Sequence, residues 1–237
     1  MTDCGEGGEQ TSEGENAVEH AITSRRSVRG FLPDPIPVSV IRQLLRVAAR
    51  APSGSNIQPW HVHVLSGGPL SRLRQELVEA YMTGQPETPE YHYYPRSWRS
   101  PYIERRRATG WSLYQLTGVR RGDVDAGRRQ RARNYAFFDA PVGMVFTIDR
   151  DLERGSWLDF GMFLQALMIA ARGHFLDTCP QQSIANYPSI VNRHLAVPSQ
   201  RMIVCGMALG HADPTEPANG LVTDREGVDV FAEFHTD

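Results

Sequence analysis

Ala51-Pro52-Ser53-Gly54-Ser55-Asn56-Ile57-Gln58-Pro59-Trp60 is the stretch on which the reading of this chain turns. Two prolines bracket small polar residues, which stiffens the backbone and leaves hydroxyls, amides and main-chain N–H groups available. Gly54 lets that backbone come close to a flat molecule. Before it, residues 38–50 place Ile41, Leu44, Leu45 and Ala48 at helical spacing, with Arg42, Arg46 and Arg50 off that face. After it, residues 61–65 alternate histidine with apolar residues and read as a strand. A loop of this composition between helix and strand is a ligand cradle or an ordinary turn, and on its own it does not decide between them.

A second stretch, Ser24-Arg25-Arg26-Ser27-Val28-Arg29-Gly30-Phe31, sets three guanidinium groups and a hydroxyl within five residues. Guanidinium forks match phosphate oxygens two at a time, and a neighbouring hydroxyl adds a donor; the alternative is a solvated basic turn. Taken as a pair, Arg25-x-Ser27-x-Arg29-x-Phe31 and Pro52-Ser53-x-x-Asn56-x-Gln58-Pro59-Trp60 resemble the opening of the FMN-dependent nitroreductase family. The resemblance implies an α+β fold in three layers, a mixed, mostly antiparallel sheet flanked by helices, with subunits intertwined in a homodimer. It also implies tightly bound FMN, NAD(P)H as a transient co-substrate, and a small aromatic nitro compound as oxidant.

Composition narrows the alternatives. The chain has 237 residues, enough for one domain with an insertion, and a formal net charge of -2 that favours neither nucleic acid nor membrane as partner. Cys4, Cys179 and Cys205 form no C-x-x-C pair, so neither a disulfide framework nor a zinc site is indicated, and a cytoplasmic, reducing location is expected. No apolar run is long enough to span a bilayer. All 25 basic residues are arginine. The absence of lysine excludes a Walker A lysine, a pyridoxal-phosphate Schiff base and a biotinyl attachment site. No G-x-G-x-x-G fingerprint is present either.

Along the chain, residues 1–16 are Gly-rich and acidic and read as a disordered tail, leaving residues 17–237 as the domain. Residues 17–23 read as a short helix, residues 32–37 as an extended connector, and residues 70–82 as another helix. Residues 83–134 are the least regular part, a helical or irregular insertion with eleven arginines between Arg96 and Arg133 against Glu104, Asp123 and Asp125. Arginines interleaved with Tyr91, Tyr93, Tyr94 and Trp98 suit a single-stranded nucleic acid, or else they are solvated and paired within the protein. In the family, inserts at this place cover the active site. Residues 140–148 and 201–209 read as buried strands and residues 187–195 as a helix. Residues 157–172 form a helix apolar nearly all round, with Asp159 and Gln165 as exceptions, which fits burial between two subunits. Cys179 reads as a packed thiol rather than a reactive one.

The resemblance assigns site roles to particular residues. Arg25, Arg26, Ser27, Arg29 and Arg225 would meet the FMN phosphate and ribityl chain. Pro52, Ser53, Gly54 and Asn56 would touch the ring, from the partner subunit. Residues 174–183 resemble the family's second flavin loop, so Pro180, Gln181 and Gln182 would lie along the ring, with a main-chain N–H aimed at flavin N5. Many members carry Glu where this chain has Gln182. Arg133, or Asn134 beside it, would put positive charge near the N1/O2 edge, and Gly210 ends the late strand. No side-chain acid is expected: hydride passes from nicotinamide to N5, and the oxidant then takes the nicotinamide's place in ping-pong order. Nitroarenes would go to nitroso and then hydroxylamine products. The same fold also serves enones, quinones, free flavin and halogenated aromatics, and a binding protein using the Arg-rich insertion is the alternative from another class.

Overall fold

The computed structural model describes residues 16–236. The acidic tail lies outside the described residues, apart from Asn16, which caps the first helix. The elements follow the apolar periodicity. Helix α1 spans Ala17–Ser24, with Asn16 and Glu19 forming a reciprocal capping box, and α2 spans Val38–Ala48. Strand β1 is His61–Ser66 and α3 is Gly67–Thr83, closed by Gly84 in the left-handed region. Within the insertion, α4 spans Tyr102–Leu116 and α5 spans Val124–Ala132, so this part is more regular than its composition suggested. Strand β2 is Val142–Asp149, α6 is Arg154–Gly173, β3 is Asp177–Gln181, α7 is Pro188–Leu195 and β4 is Arg201–Gly210.

The sheet order is β1-β2-β4-β3, and every pair is antiparallel. The parallel component expected of a mixed sheet is a single bridge between Ser27 and Thr178. Three layers result. On one face α2 and α6 pack through Ile41, Leu44, Phe160, Phe163 and Leu167 onto Met144, Phe146, Ile148 and Met207. On the other, α3 and α7 pack through Leu70, Leu73, Leu77, Ile190 and Val191 onto Val145, Ile203 and Ala208, with Phe137 and Phe138 between. Strand periodicity of two sends Met144 and Val145 to opposite faces, which is why β2 is apolar throughout.

Two features of this frame position the site. Residues 174–183 are not simply a loop: Asp177–Gln181 is an edge strand paired with β4. Pro180 is tolerated there because an edge strand needs no donor on its open side. The second feature is a register shift between Phe146 and Thr147, which face Cys205 and Ile203 and leave Val204 as the extra residue on β4. The bulge turns the Val204 carbonyl out of the ladder, where it accepts a hydrogen bond from the Tyr91 hydroxyl. An irregular segment of the insertion is thereby tied to the sheet.

Candidate active site

The short edge strand β3 has a different cleft at each end. At its Asp177 end the chain from α1 passes alongside, with the Val28 N–H donating to the Thr178 carbonyl at 3.1 Å. This pairing fixes the Arg25–Arg29 segment against the sheet. A cleft of about 700 Å³ opens there, lined by Thr23, Ser24, Arg25, Arg26, Ser27, Arg29, Arg172, Thr223 and Arg225. Among the described residues, five guanidinium groups and no carboxylate line it. Burial first, and then repulsion from Arg225, push the Arg25 guanidinium below its ordinary pKa. Like charges converging in a part-buried cleft are unfavourable until an anion joins them, so the arrangement is that of an anion site.

The cations are held in place from behind. The Arg29 N–H donates to Asn219 Oδ1 at 2.6 Å, and its guanidinium donates to the Ser27 carbonyl at 3.1 Å. Arg225 curls over its own turn, donating to Thr223 Oγ1 and to the Asp224 carbonyl, both at 2.8 Å. Arg172, from the last turn of α6, pairs with Asp177 at 2.6 Å and donates to Ser24 Oγ at 3.3 Å. Asp177 in turn accepts from the Ala212 N–H at 3.3 Å. Arg172 was missed from sequence; its only trace there was a basic residue in the last turn of an otherwise apolar helix.

At the Gln181 end lies a second cleft of about 760 Å³, walled by Tyr91, Trp157, Phe160, Leu164, Pro180, Met202 and Val204, with Gln181 and Gln182 at its edge. Tyr91 and Trp157 pack at 4.8 Å between ring centroids. Gln181 is buried; its amide Nε2 donates to the Asn134 carbonyl, and its Oε1 has no partner. Gln182 Nε2 donates to Asn186 Oδ1 at 3.1 Å. At about 3.3 Å per residue, β3 separates the two clefts by roughly 13 Å. A ligand with an anionic end and a flat apolar end fits along it.

The loop at 51–60 lines neither cleft of its own chain. Its Gly54 N–H donates to Asp159 Oδ2 at 3.0 Å and its Gln58 N–H to Ser53 Oγ at 3.1 Å. Ser55, Asn56 and Gln58 have φ of 50°, 58° and 50°. Left-handed backbone costs about 1–2 kcal/mol per non-glycine residue, and here those two hydrogen bonds hold it. The carboxylate that looked out of place on α6 is therefore the anchor of the loop. Trp60 closes it by stacking on Phe163 at 4.7 Å.

Three further candidate residues make contacts within the chain itself. Arg133 is not directed at either cleft; it pairs with Glu216 at 2.7 Å and approaches Asp139 at 3.7 Å. Its neighbour Asn134 donates its side chain to the Arg131 carbonyl at 3.1 Å and reaches the site only through its own carbonyl, which Gln181 binds. Gly210 is a packing residue: a Cβ there would stand 2.7 Å from Pro141 Cδ and 3.2 Å from Phe31. Cys179, by contrast, is packed as read, its thiol pushed up to about 11 by burial despite the nearby arginines.

The fold sets an arginine-lined cleft and an aromatic-walled cleft along one sheet edge. The chain belongs to the nitroreductase family, whose model matches residues 22–211. It is 40% identical to the chloronitrobenzene nitroreductase of Comamonas testosteroni over 92% of this chain and 96% of that one. It is 42% identical to the 4-nitrobenzoate reductase of Pseudomonas putida, over 90% and 93%. Among solved structures it resembles the FMN and NADPH-dependent nitroreductase NfnB of Sphigopyxis sp. strain HMH, with a TM-score of 0.89 and 33% identity over 93% of this chain and 99% of that one.

Proposed function

We propose that this protein is an FMN-dependent NAD(P)H oxidoreductase that reduces nitroaromatic compounds in two-electron steps, to the nitroso and hydroxylamine levels, by a ping-pong mechanism. The observation that carries this reading is the pairing of a five-arginine cleft with an aromatic-walled cleft along one edge strand. Relatives named for nitroaromatic reduction over nine-tenths of the chain, and a similar structure titled FMN and NADPH-dependent, support the same reading.

The residues fit FMN. Arg25, Arg26, Arg29 and Arg225 would hold the phosphate, with Ser27 and Thr223 hydroxyls beside them. Gln181 Oε1, buried and without a partner among the described residues, would accept a hydrogen bond from a ring N–H, and Pro180 and Gln182 would hold the ring from the same side of the cleft. When bound, FMN takes up hydride from a nicotinamide and returns it to the nitro group. The chain's part is to bind, orient and exclude water. Gln182 carries an amide where a carboxylate would add negative charge, and the Tyr91 hydroxyl is committed to the Val204 carbonyl with its pKa raised, above all by burial. Neither is placed to supply a proton. One cleft serving donor and oxidant in turn makes ping-pong order the economical one.

The site is completed by a second subunit. Pro52, Ser53, Gly54 and Asn56 line neither cleft of their own chain, so in this reading they reach the ring from the partner in a homodimer. The surface of α6 supports this: Leu158 is 73% exposed and Met162 41%, while Phe160, Phe163 and Leu167 of the same helix are buried. Residues 17–237 are one domain, with residues 83–134 covering the active site, where Tyr91 and Trp157 form the wall. A cytoplasmic location suits the free, buried Cys179 and Cys205. Among the described residues no helix is long and apolar enough to cross a membrane. The test is product analysis after anaerobic turnover with NADPH and nitrobenzene. Phenylhydroxylamine with matching NADPH consumption is expected; NADPH oxidation only in the presence of free flavin or a quinone would reject the nitroarene assignment.

A further inference from the structure

The insertion reaches the second cleft through a continuous line of hydrogen bonds. Gln182, one of the residues lining that cleft, opens a short 3-10 turn that ends at Asn186. Its Nε2 donates to Asn186 Oδ1 at 3.1 Å, Asn186 Nδ2 donates to the Tyr135 hydroxyl at 3.3 Å, and that hydroxyl donates to Glu87 Oε1 at 3.0 Å. The line therefore runs from the cleft to a carboxylate on the insertion that is exposed to solvent. Its middle is held rigidly: Tyr135 is buried, with its ring centroid 4.9 Å from that of Tyr81 and 5.4 Å from that of Tyr187. Its outer end is held too. The Thr88 N–H donates to the Asn186 carbonyl at 2.9 Å and the Tyr187 hydroxyl donates to the Gln85 carbonyl at 3.2 Å, so residues 85–88 are fastened to the same turn.

The line has a sense, and the carboxylate dictates it. An ionised carboxylate only accepts hydrogen bonds, whereas a phenol has one proton to give. Burial above all, helped by the neighbouring Glu87 charge, raises the Tyr135 pKa, so the hydroxyl keeps that proton. Once the proton is given to Glu87, the Tyr135 oxygen must accept, and only the Nδ2 end of Asn186 satisfies it. Asn186 then turns Oδ1 toward Gln182, which must answer with Nε2. We infer that Glu87 is a positioning residue for the cleft, acting through Tyr135 and Asn186 to leave Gln182 Oε1, an acceptor, as the end of that amide available to a ligand. Gln181 on the same edge has its Nε2 spent on the Asn134 carbonyl and its Oε1 unpartnered among the described residues. The two amides thus offer oxygens rather than N–H groups, which suits a flat ligand bearing N–H donors. The inference rests on the proposed FMN site and adds the device that orients Gln182 within it.

Two measurements test this. The first is a melting series, which involves no reduction step. In Gln182→Glu both ends of the line only accept, leaving two donors for three links, and the melting temperature should fall by about 2–4 °C. Adding Glu87→Lys supplies a donor at the outer end, lets the line run in the opposite sense, and should restore most of that loss. A double variant that loses the sum of the two single losses would overturn the assignment. The second measurement is FMN retention, read from the fluorescence of flavin released when the loaded protein is diluted. Glu87→Lys alone should reverse the line, turn Gln182 Nε2 to the cleft and weaken FMN binding by roughly twofold to tenfold, with no such loss in a Gln182→Ala background. Tighter FMN binding, the result that an added positive charge near an anionic ligand gives by itself, or an equal loss in both backgrounds, would reject the positioning role. A protein that binds no FMN would sink the proposed function and the flavin role of Glu87 together, while the melting series would still uphold or reject the sense of the line.

Discussion

At the scale of single residues, the strongest argument concerns charge. Arg25 and Arg225 come from opposite ends of the chain, yet they share one cleft and repel each other enough for Arg225 to lower the Arg25 pKa. Removing one of them relieves that repulsion in the empty protein and removes a phosphate contact in the loaded one. Arg225→Ala should therefore weaken FMN binding by about 1.5–3 kcal/mol, roughly tenfold to a hundredfold, with little change in thermal stability of the flavin-free protein. Flavin fluorescence titration measures the first and a melting curve the second; unchanged FMN affinity would remove Arg225 from the site. The buried thiols give a second residue-level expectation. Burial pushes Cys179 up to about 11 and Cys205 up to about 12. In the unfolded chain a thiol ionises near 8.5. Between that value and the folded pKa the unfolded state has released its protons and the folded state has not, so stability falls as pH rises through this window. Below about pH 8.5 the contribution is fully present. The urea midpoint in reducing buffer should drop from pH 7.5 to pH 10.5, and the drop should shrink in Cys205→Ala. An identical drop in that variant would assign the effect to other groups.

At the scale of elements, α6 and the loop at 51–60 act as a unit. Asp159 accepts from the Gly54 N–H and Trp60 stacks on Phe163, so the helix carries the loop. Asp159→Ala should destabilise the protein by about 1.5–3 kcal/mol and open residues 51–60 to limited proteolysis; an unchanged cleavage pattern would show that the backbone holds itself. Gly210→Ala should destabilise by about 1–3 kcal/mol through overpacking against Pro141, with flavin affinity preserved once folded. Loss of affinity without loss of stability would return Gly210 to the binding site. These elements also show what the sequence could reveal. Periodicity located α2 and α6 by their apolar stripes, and β2 and β4 by apolar runs that serve both cores. The Arg25 segment and the 51–60 loop were legible as motifs, since phosphate and ring contacts demand particular residue types at close spacing. Arg172, Asp159 and the partnership of Tyr91 with Val204 were not legible: each depends on contacts between residues 100 or more positions apart, or on a bulge no local pattern announces. The Arg133 pairing is also hidden from local pattern, because its partner Glu216 is remote in sequence.

At the scale of the whole molecule, the Arg-rich insertion is bound into the fold. Arg105 pairs with Glu226 at 2.7 Å, Arg106 lies 4.7 Å from the Trp98 ring centroid, and Arg131 donates to Tyr81 and Tyr114 at 2.9 and 3.0 Å. Such arginines brace α4 and α5 against α3 and the chain end, which favours the internal pairing over a nucleic-acid surface. The exposed apolar residues of α6 point instead to self-association. On the proposed homodimer with a ring site shared between subunits, Leu158→Glu should shift the sedimenting species from dimer to monomer and lower flavin occupancy with it. A monomeric unmodified protein with full flavin content would refute the shared site.

The central claim, a flavin-mediated redox cycle between NAD(P)H and a nitroarene, is tested most directly by one anaerobic absorbance experiment on freshly purified protein. A yellow sample should bleach on addition of NADPH and regain its colour when 4-nitrobenzoate is added in stoichiometric amount. A protein that stays colourless after FMN is offered, or that bleaches and is not reoxidised by any nitroarene, would contradict the account.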